Sequence, residues 1–72
     1  MRRRTEHTFE LEPGEVDYDD RVRMNAFGLG RHPAYAGRVG TVVGMPTRSV
    51  LRVKFDDRVA VQATHRDYLE RA

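Results

Sequence analysis

The 72-residue chain is predicted to be all-β, a small half-open antiparallel barrel of four to five strands with one short helical turn near the C-terminus. Apolar and polar residues alternate along several short segments, as they do in strands with one buried face. Glycine, proline and aspartate separate these segments, which is typical of turns between short strands. Two regions are predicted, an acidic N-terminal extension over residues 1–19 and the barrel over residues 20–72.

The N-terminal extension alternates over residues 8–12, turns at Pro13-Gly14 and resumes over residues 15–19. We interpret it as a loose hairpin, and the alternative is a mostly mobile acidic tail. In the hairpin, four apolar side chains would touch the barrel: Phe9, Leu11, Val16 and Tyr18.

The barrel is predicted to begin with a strand over residues 21–24, with Val22 and Met24 facing the core. Residues 25–36 are predicted to form a long loop over an open end of the barrel, because Gly28, Gly30 and Pro33 interrupt any regular pattern.

A glycine-kinked hairpin is predicted next, with strands over residues 38–43 and 49–55. A tight turn at Asp56-Asp57 leads into a strand over residues 58–62. Thr64 and Asp67 have the spacing of a helix cap, which predicts one helical turn that ends at residues 68–69.

Charge is distributed unevenly along the chain. Residues 1–20 hold three arginines and seven acidic residues, whereas residues 21–72 hold ten basic and four acidic residues. Twelve of the thirteen basic residues are arginine, whose guanidinium group suits forked contacts with phosphate or carboxylate. The excess of arginine after residue 20 therefore favours a phosphate-rich or acidic partner.

Composition also narrows the location and the chemistry. The chain has no cysteine, which excludes disulfides and thiolate metal sites and is compatible with a reducing cytoplasm. No apolar run approaches the roughly 18 residues of a membrane span, and polar residues 5–8 follow the basic start where a signal peptide would be apolar. We expect a cytoplasmic protein that contacts no membrane.

No group of residues has the pattern of a catalytic or metal site. His7, His32 and His65 are far apart in the sequence, and Ser49 has no histidine close by in the chain. Asp56 and Asp57 are neighbours in a turn, so their carboxylates diverge. We therefore expect neither an enzyme nor a bound metal or other cofactor.

The order of elements resembles an SH3-like barrel. More narrowly, the segment from Gly37 to Val42, followed by Leu51-Arg52-Val53, is similar to the KOW motif of ribosomal proteins and transcription elongation factors. The resemblance covers roughly residues 20–60 and implies that the loop and the adjacent strand contact RNA or another protein. Two features depart from that family: the loop is longer and lacks a lysine-rich run, and the acidic extension is not part of the motif.

Two sets of residues are predicted to bind nucleic acid. Outward-facing basic residues on neighbouring strands would contact phosphates, namely Arg21, Arg23, Arg38, Arg52 and Lys54. Loop residues that could stack on unpaired bases are Phe27, His32 and Tyr35. The alternative is a solvated face whose arginines pair with the acidic N-terminal segment, with Phe27 and Tyr35 closing the barrel end.

The leading functional hypothesis is a noncatalytic module that binds RNA, DNA or a nucleoprotein assembly. The alternative is a protein-interaction or structural accessory module of a bacterium or phage, with an acidic protein surface as its partner. An exposed strand edge would also permit a weak homodimer in place of a monomer.

Overall fold

The computed structural model describes residues 11–72, which contain five antiparallel strands in one sheet. The prediction of a small all-β fold is confirmed. In chain order, the elements are β1 (Arg21–Met24), α1 (Ala26–Arg31), a first 3₁₀ turn (Pro33–Tyr35), β2 (Val39–Gly44), β3 (Val50–Phe55), β4 (Val61–His65), a second 3₁₀ turn (Arg66–Tyr68) and β5 (Leu69–Arg71).

The sheet has the strand order β4-β3-β2-β1-β5, so β1 to β4 form a meander and β5 returns beside β1. Alternation in β1 and β3 buries every second side chain and exposes the residues between them. The largest fully buried side chains are Phe55, Leu51, Val22, Val42 and Val53. The predicted inward direction of the apolar residues in β1 and β3 is therefore confirmed.

Gly40 lies in the buried layer, opposite Val22 on one side and Phe55 on the other. A Cβ atom at this position would lie 2.7 Å from the Lys54 carbonyl oxygen and 2.9 Å from the Phe55 Cα. Glycine is therefore required here, because β2 approaches β3 more closely than a side chain would permit.

The predicted loop over residues 25–36 instead contains α1 and the first 3₁₀ turn. Asn25 begins α1, since its Oδ1 accepts a hydrogen bond from the Gly28 backbone N–H at 2.8 Å. Gly28 does not interrupt the helix, because the absence of a side chain lets it pack against Tyr68, whose carbonyl oxygen would be 2.5 Å from a Cβ. The interpretation of Gly28 as a breaker was wrong for this reason.

The boundaries of β4 also differ from the prediction. The predicted tight turn at Asp56-Asp57 is present and is closed by a hydrogen bond from the Arg58 N–H to the Phe55 carbonyl at 3.0 Å. It does not lead directly into a strand, because residues 58–60 are irregular and β4 begins at Val61. The helical turn near the C-terminus is present, but its cap is His65, whose Nδ1 accepts a hydrogen bond from the Asp67 backbone N–H at 3.1 Å. The residues after this turn form β5, which the sequence pattern was too short to reveal.

Residues 11–20 form turns at Pro13-Gly14 and at residues 18–19, and no strand. Val16 belongs to the core, and Leu11 and Tyr18 pack against it as predicted, whereas Phe9 lies outside the described residues. Two backbone hydrogen bonds join this segment to β2, from the Asp19 N–H to the Val42 carbonyl at 2.9 Å and from the Val42 N–H to the Asp20 carbonyl at 3.0 Å. The predicted strand over residues 15–19 is therefore replaced by turns that dock on the sheet.

Over residues 11–72, no helix combines the length and the apolar character needed to cross a membrane.

Candidate nucleic-acid interface

Four of the five predicted phosphate-binding residues lie on one exposed face of the sheet, here called the strand face: Arg21, Arg23, Arg52 and Lys54. In the register of the sheet, Thr41 lies between Arg21 on β1 and Lys54 on β3. Arg23 and Arg52 are each two residues from these cations along their strands, and alternation places them on the same side. The predicted gathering of these side chains is present in the structure.

Two arginines of the strand face pair with carboxylates. Arg21 makes a forked contact with Asp56, with Nη1–Oδ1 and Nη2–Oδ2 distances of 2.8 and 2.6 Å. Arg23 donates from Nε to Glu70 Oε2 at 2.7 Å. The hydrogen bond from Arg21 lowers the pKa of Asp56, and the same contact raises the pKa of Arg21. The two pairs reduce, but do not bury, the positive charge of this face.

Arg52 and Lys54 are exposed and two residues apart on β3. Neither makes an ion pair with a carboxylate of residues 11–72. Their charges are less compensated than those of Arg21 and Arg23, although Lys54 is close enough to Asp56 to contribute to the lowered pKa of that carboxylate.

Arg38 is separated from the strand face. It immediately precedes β2, where Val39 pairs with Arg23, so alternation directs Arg38 to the other side of the sheet. Its Nε lies 3.3 Å from Asp57 Oδ2, and its Cζ lies 5.4 Å from the centre of the Tyr35 ring. The prediction that Arg38 extends the basic strip is therefore not supported by its position.

The three predicted stacking residues lie together with Tyr68 in what we call the aromatic row, in the order Phe27, Tyr68, His32 and Tyr35. Successive ring centres are 5.2, 5.8 and 6.2 Å apart, and the rings are tilted or edge-on to one another. His65 lies beside the row, with its ring centre 5.8 Å from that of Tyr68. Tyr35 anchors one end of the row against the core, 4.9 Å from Phe55.

Sequence reasoning missed Tyr68 and His65. The cap-like spacing of residues 64 and 67 did predict a helical turn there, but nothing in the sequence related that turn to the distant residues 27–35. The contact depends on Gly28, where α1 packs against Tyr68.

Arginines surround the aromatic row. The Arg31 Cζ lies 5.6 Å from the centre of the Phe27 ring, and the Arg58 Cζ lies 6.0 Å from that of Tyr35. Together with Arg38, these residues place positive charge at both ends of the row.

A small cleft opens between the aromatic row and the edge strand β4, and Met24 of β1 also lines it. Its volume is about 100 Å³, and its lining includes His32, Tyr35, Gln62, Thr64, His65 and Tyr68. In the part of the chain that the structure describes, no three histidine or acidic side chains cluster so as to hold a metal ion. The cleft instead combines aromatic surface with amide, hydroxyl and imidazole groups.

The acidic N-terminal segment contacts other arginines. Glu15 pairs with Arg48 at 2.7 Å, and Asp20 pairs with Arg71 at 3.2 Å. The pKa of Glu15 is lowered, mainly by the hydrogen bond that its carboxylate accepts from the Glu12 backbone N–H and also by Arg48. The carboxylates that pair with Arg21, Arg23 and Arg38 come from residues 56–57 and 70.

No family model, curated protein or solved structure matches this chain. The features of the molecule that bear on its function are the strand face, the aromatic row and the cleft.

Proposed function

We propose that this chain is a noncatalytic module that binds RNA, DNA or a nucleoprotein assembly through the strand face. The observation that carries the proposal is the presence of four cations on one face, of which Arg52 and Lys54 lack a carboxylate partner within residues 11–72. Arginine and lysine side chains commonly contact phosphate oxygens in such interfaces.

The ion pairs on the strand face are compatible with phosphate binding. The side chains of Arg21 and Asp56 are 51% and 56% exposed, so water already competes for their contact. A phosphate presents oxygens to the same forked guanidinium geometry and can replace the carboxylate. Binding through two cations predicts a log–log salt slope of about −1.4 on single strands, and engagement of all four predicts about −2.8.

The test is fluorescence anisotropy with labelled single-stranded RNA, single-stranded DNA and duplex DNA over a salt series. Substitution of Arg52→Gln with Lys54→Gln should weaken binding and reduce the magnitude of the salt slope by about 1.4 on single strands. The matched control removes the same charge elsewhere, with Arg48→Gln and Arg71→Gln, and should keep the slope. The proposal fails if no polymer binds at low salt, or if both double variants lose the same affinity and slope.

The SH3-like and KOW-like resemblance is part of this proposal. It is supported by the five-strand order, in which a meander is completed by a short strand returning to β1, and by the glycine-containing β2 that follows the long connection. A cytoplasmic location is proposed with it, in accord with the cysteine-free sequence.

The edge strand β4 favours a second candidate function, protein interaction by strand addition. Residues 59–64 carry no charged side chain, and Val59 and Val61 are 93% and 46% exposed. Edge strands that avoid association commonly carry charges or proline, which this segment lacks. The partner proposed here is a second copy of the chain, in the bacterial or phage accessory role of the alternative hypothesis.

Sedimentation over a range of protein concentrations tests this second candidate. Val61→Lys should abolish a dimer formed through β4, whereas Val43→Lys, at a valine of 47% exposure away from the edge, should preserve it. A monomer at every concentration, or equal effects of both variants, would exclude pairing through β4.

A further inference from the structure

We propose that the cleft beside the aromatic row holds one unpaired base of a single-stranded nucleic acid, an inference that rests on the proposed function of the strand face. The strand face would contact phosphates, and the cleft would distinguish a strand with accessible bases from a duplex. Bases in a duplex are stacked and paired, so they are not free to enter the cleft.

The polar groups of the cleft are the first argument. Thr64 is only 7% exposed, and its hydroxyl makes no hydrogen bond with any other residue in 11–72. Gln62 lies two residues earlier on β4, lines the same cleft and likewise has no side-chain hydrogen bond to the described residues. A buried hydroxyl without a protein partner calls for a water molecule or a ligand. Hydroxyl and amide groups together can donate to and accept from the edge of a nucleobase.

The walls of the cleft are the second argument. Rings of His32, Tyr35 and Tyr68 line it, and their tilted arrangement does not stack their faces upon one another. Aromatic faces of this kind are the usual surface for stacking of an unpaired base. The volume of about 100 Å³ is well below the roughly 300–1,000 Å³ of pockets that enclose whole small molecules. It suits one flat ring system that enters from the open side.

The distance to the strand face is the third argument. Ala63, which lines the cleft, is the register partner of Arg52 on β3. Paired residues of antiparallel strands are about 4.5–5.5 Å apart at Cα, so Arg52 lies close to β4. Thr64 and Gln62 pair with the buried Leu51 and Val53 and lie on the other face of the sheet, so a nucleic-acid strand that reaches both Arg52 and the cleft passes around the edge strand β4. Between them, β4 offers small or uncharged side chains that would not repel a phosphate. Arg38 and Arg58 extend positive charge beyond Tyr35 at the other side of the cleft.

These features favour a nucleobase over a proline-rich peptide. A prolyl ring has no hydrogen-bonding edge to match Thr64 and Gln62, and the arginines around the aromatic row favour an anionic chain.

The test compares two oligomers with the same number of phosphates, a deoxythymidine oligomer of about ten nucleotides and its fully abasic counterpart. The intact oligomer should bind between about 5-fold and 150-fold more tightly, the effect expected from stacking one base. Thr64→Val and His32→Ala should each remove most of this difference while preserving binding of the abasic oligomer. Phe27→Ala is the matched control, since it removes an exposed ring of the aromatic row that does not line the cleft.

Nuclear magnetic resonance on the wild-type chain provides a readout that needs no variant. The intact oligomer should shift the backbone amide signals of Gln62, Thr64 and His32, and the abasic oligomer should not. A proline-rich peptide should shift none of them. If the peptide shifts these signals and the oligomer does not, the cleft is a peptide site and the inference is overturned.

The other outcomes separate the inference from the function on which it rests. Equal affinity for intact and abasic oligomers, with binding still lost in the Arg52→Gln and Lys54→Gln variant, would overturn the base site and retain the strand face. A difference that persists unchanged in both cleft variants would overturn the assignment of the cleft. No binding of either oligomer at low salt would overturn both proposals.

Discussion

Replacement of Gly40 by alanine tests the close approach of β2 to β3, on which the orientation of the strand face depends. A Cβ at this position would lie 2.7 Å from the Lys54 carbonyl oxygen, 2.8 Å from the Val53 Cγ1 and 2.9 Å from the Phe55 Cα. Two of these three atoms belong to the backbone of β3, so a rotamer change cannot relieve the contacts. The two strands would have to separate.

Two effects of opposite sign determine the size of the change. Alanine is generally more favourable than glycine inside a strand, by about 0.5–1 kcal/mol, because it restricts the unfolded chain more. Overpacking of a tight interior costs about 1–3 kcal/mol. We expect the second effect to be larger and the free energy of unfolding to fall by up to about 2.5 kcal/mol, the largest difference between the two ranges.

Urea unfolding followed by far-ultraviolet circular dichroism measures this change. Gly30→Ala is the control, because nothing lies within 4 Å of a Cβ at Gly30 and the residue is in α1. Alanine there should raise stability by up to about 1 kcal/mol. If Gly40→Ala were as stable as the wild type, or more stable, the strands could not be as closely apposed as described.

Three further predictions follow from contacts already described. Asn25→Ala should lower the free energy of unfolding by about 1–2 kcal/mol, because it removes the cap of α1 and the hydrogen bond to the Asp67 carbonyl. An unchanged urea midpoint would contradict the stabilising role of Asn25. Asp56→Asn should tighten binding of single strands at each salt concentration, because it removes the carboxylate that competes with phosphate for Arg21. Unchanged affinity in the anisotropy assay would show that Arg21 binds no phosphate. Glu15 and Asp56 have lowered pKa values in the folded chain. Their charged forms therefore stabilise the folded chain at pH values above the pKa of the unfolded chain, which is near 4. This stabilisation is lost as the pH falls through the pKa of the folded chain. The urea midpoint should therefore fall with acidification, and it should fall less steeply in the Glu15→Gln and Asp56→Asn double variant. If the midpoint fell equally steeply in the wild type and the double variant, these two carboxylates would not be the source of the pH dependence.

Strands with strict alternation could be predicted from the sequence, and β1 and β3 are the clearest cases. Each buried residue in these strands is flanked by exposed ones, so local pattern and tertiary burial agree. The helix α1 could not be predicted in the same way, because Gly28 is unfavourable in an isolated helix and is acceptable here only through its contact with Tyr68. The predicted start of β4 was too early because the apolar residues Val59 and Ala60 precede the strand without belonging to it.

The kinds of side chain in the candidate interface could also be predicted from the sequence, but the residues that contact them could not. Arginine and lysine at alternate positions indicated a basic face, and the structure places four of the five residues there. The carboxylates of Asp56 and Glu70 reach that face from a turn and from β5, which only the strand order brings near β1. Thr64 and Tyr68 likewise meet His32 through topology, since no local spacing connects them.

Asn25 joins the two segments that carry His32 and Tyr68, and both of these rings line the cleft. Its side chain binds the N-terminus of α1 and the Asp67 carbonyl at once, and its backbone N–H donates to the Tyr68 carbonyl at 2.8 Å. These hydrogen bonds hold the connection after β1, which carries His32, next to the turn that carries Tyr68. A base that enters the cleft meets side chains that are already in position, so its binding costs the protein little conformational entropy. Asn25 therefore influences affinity although it does not line the cleft.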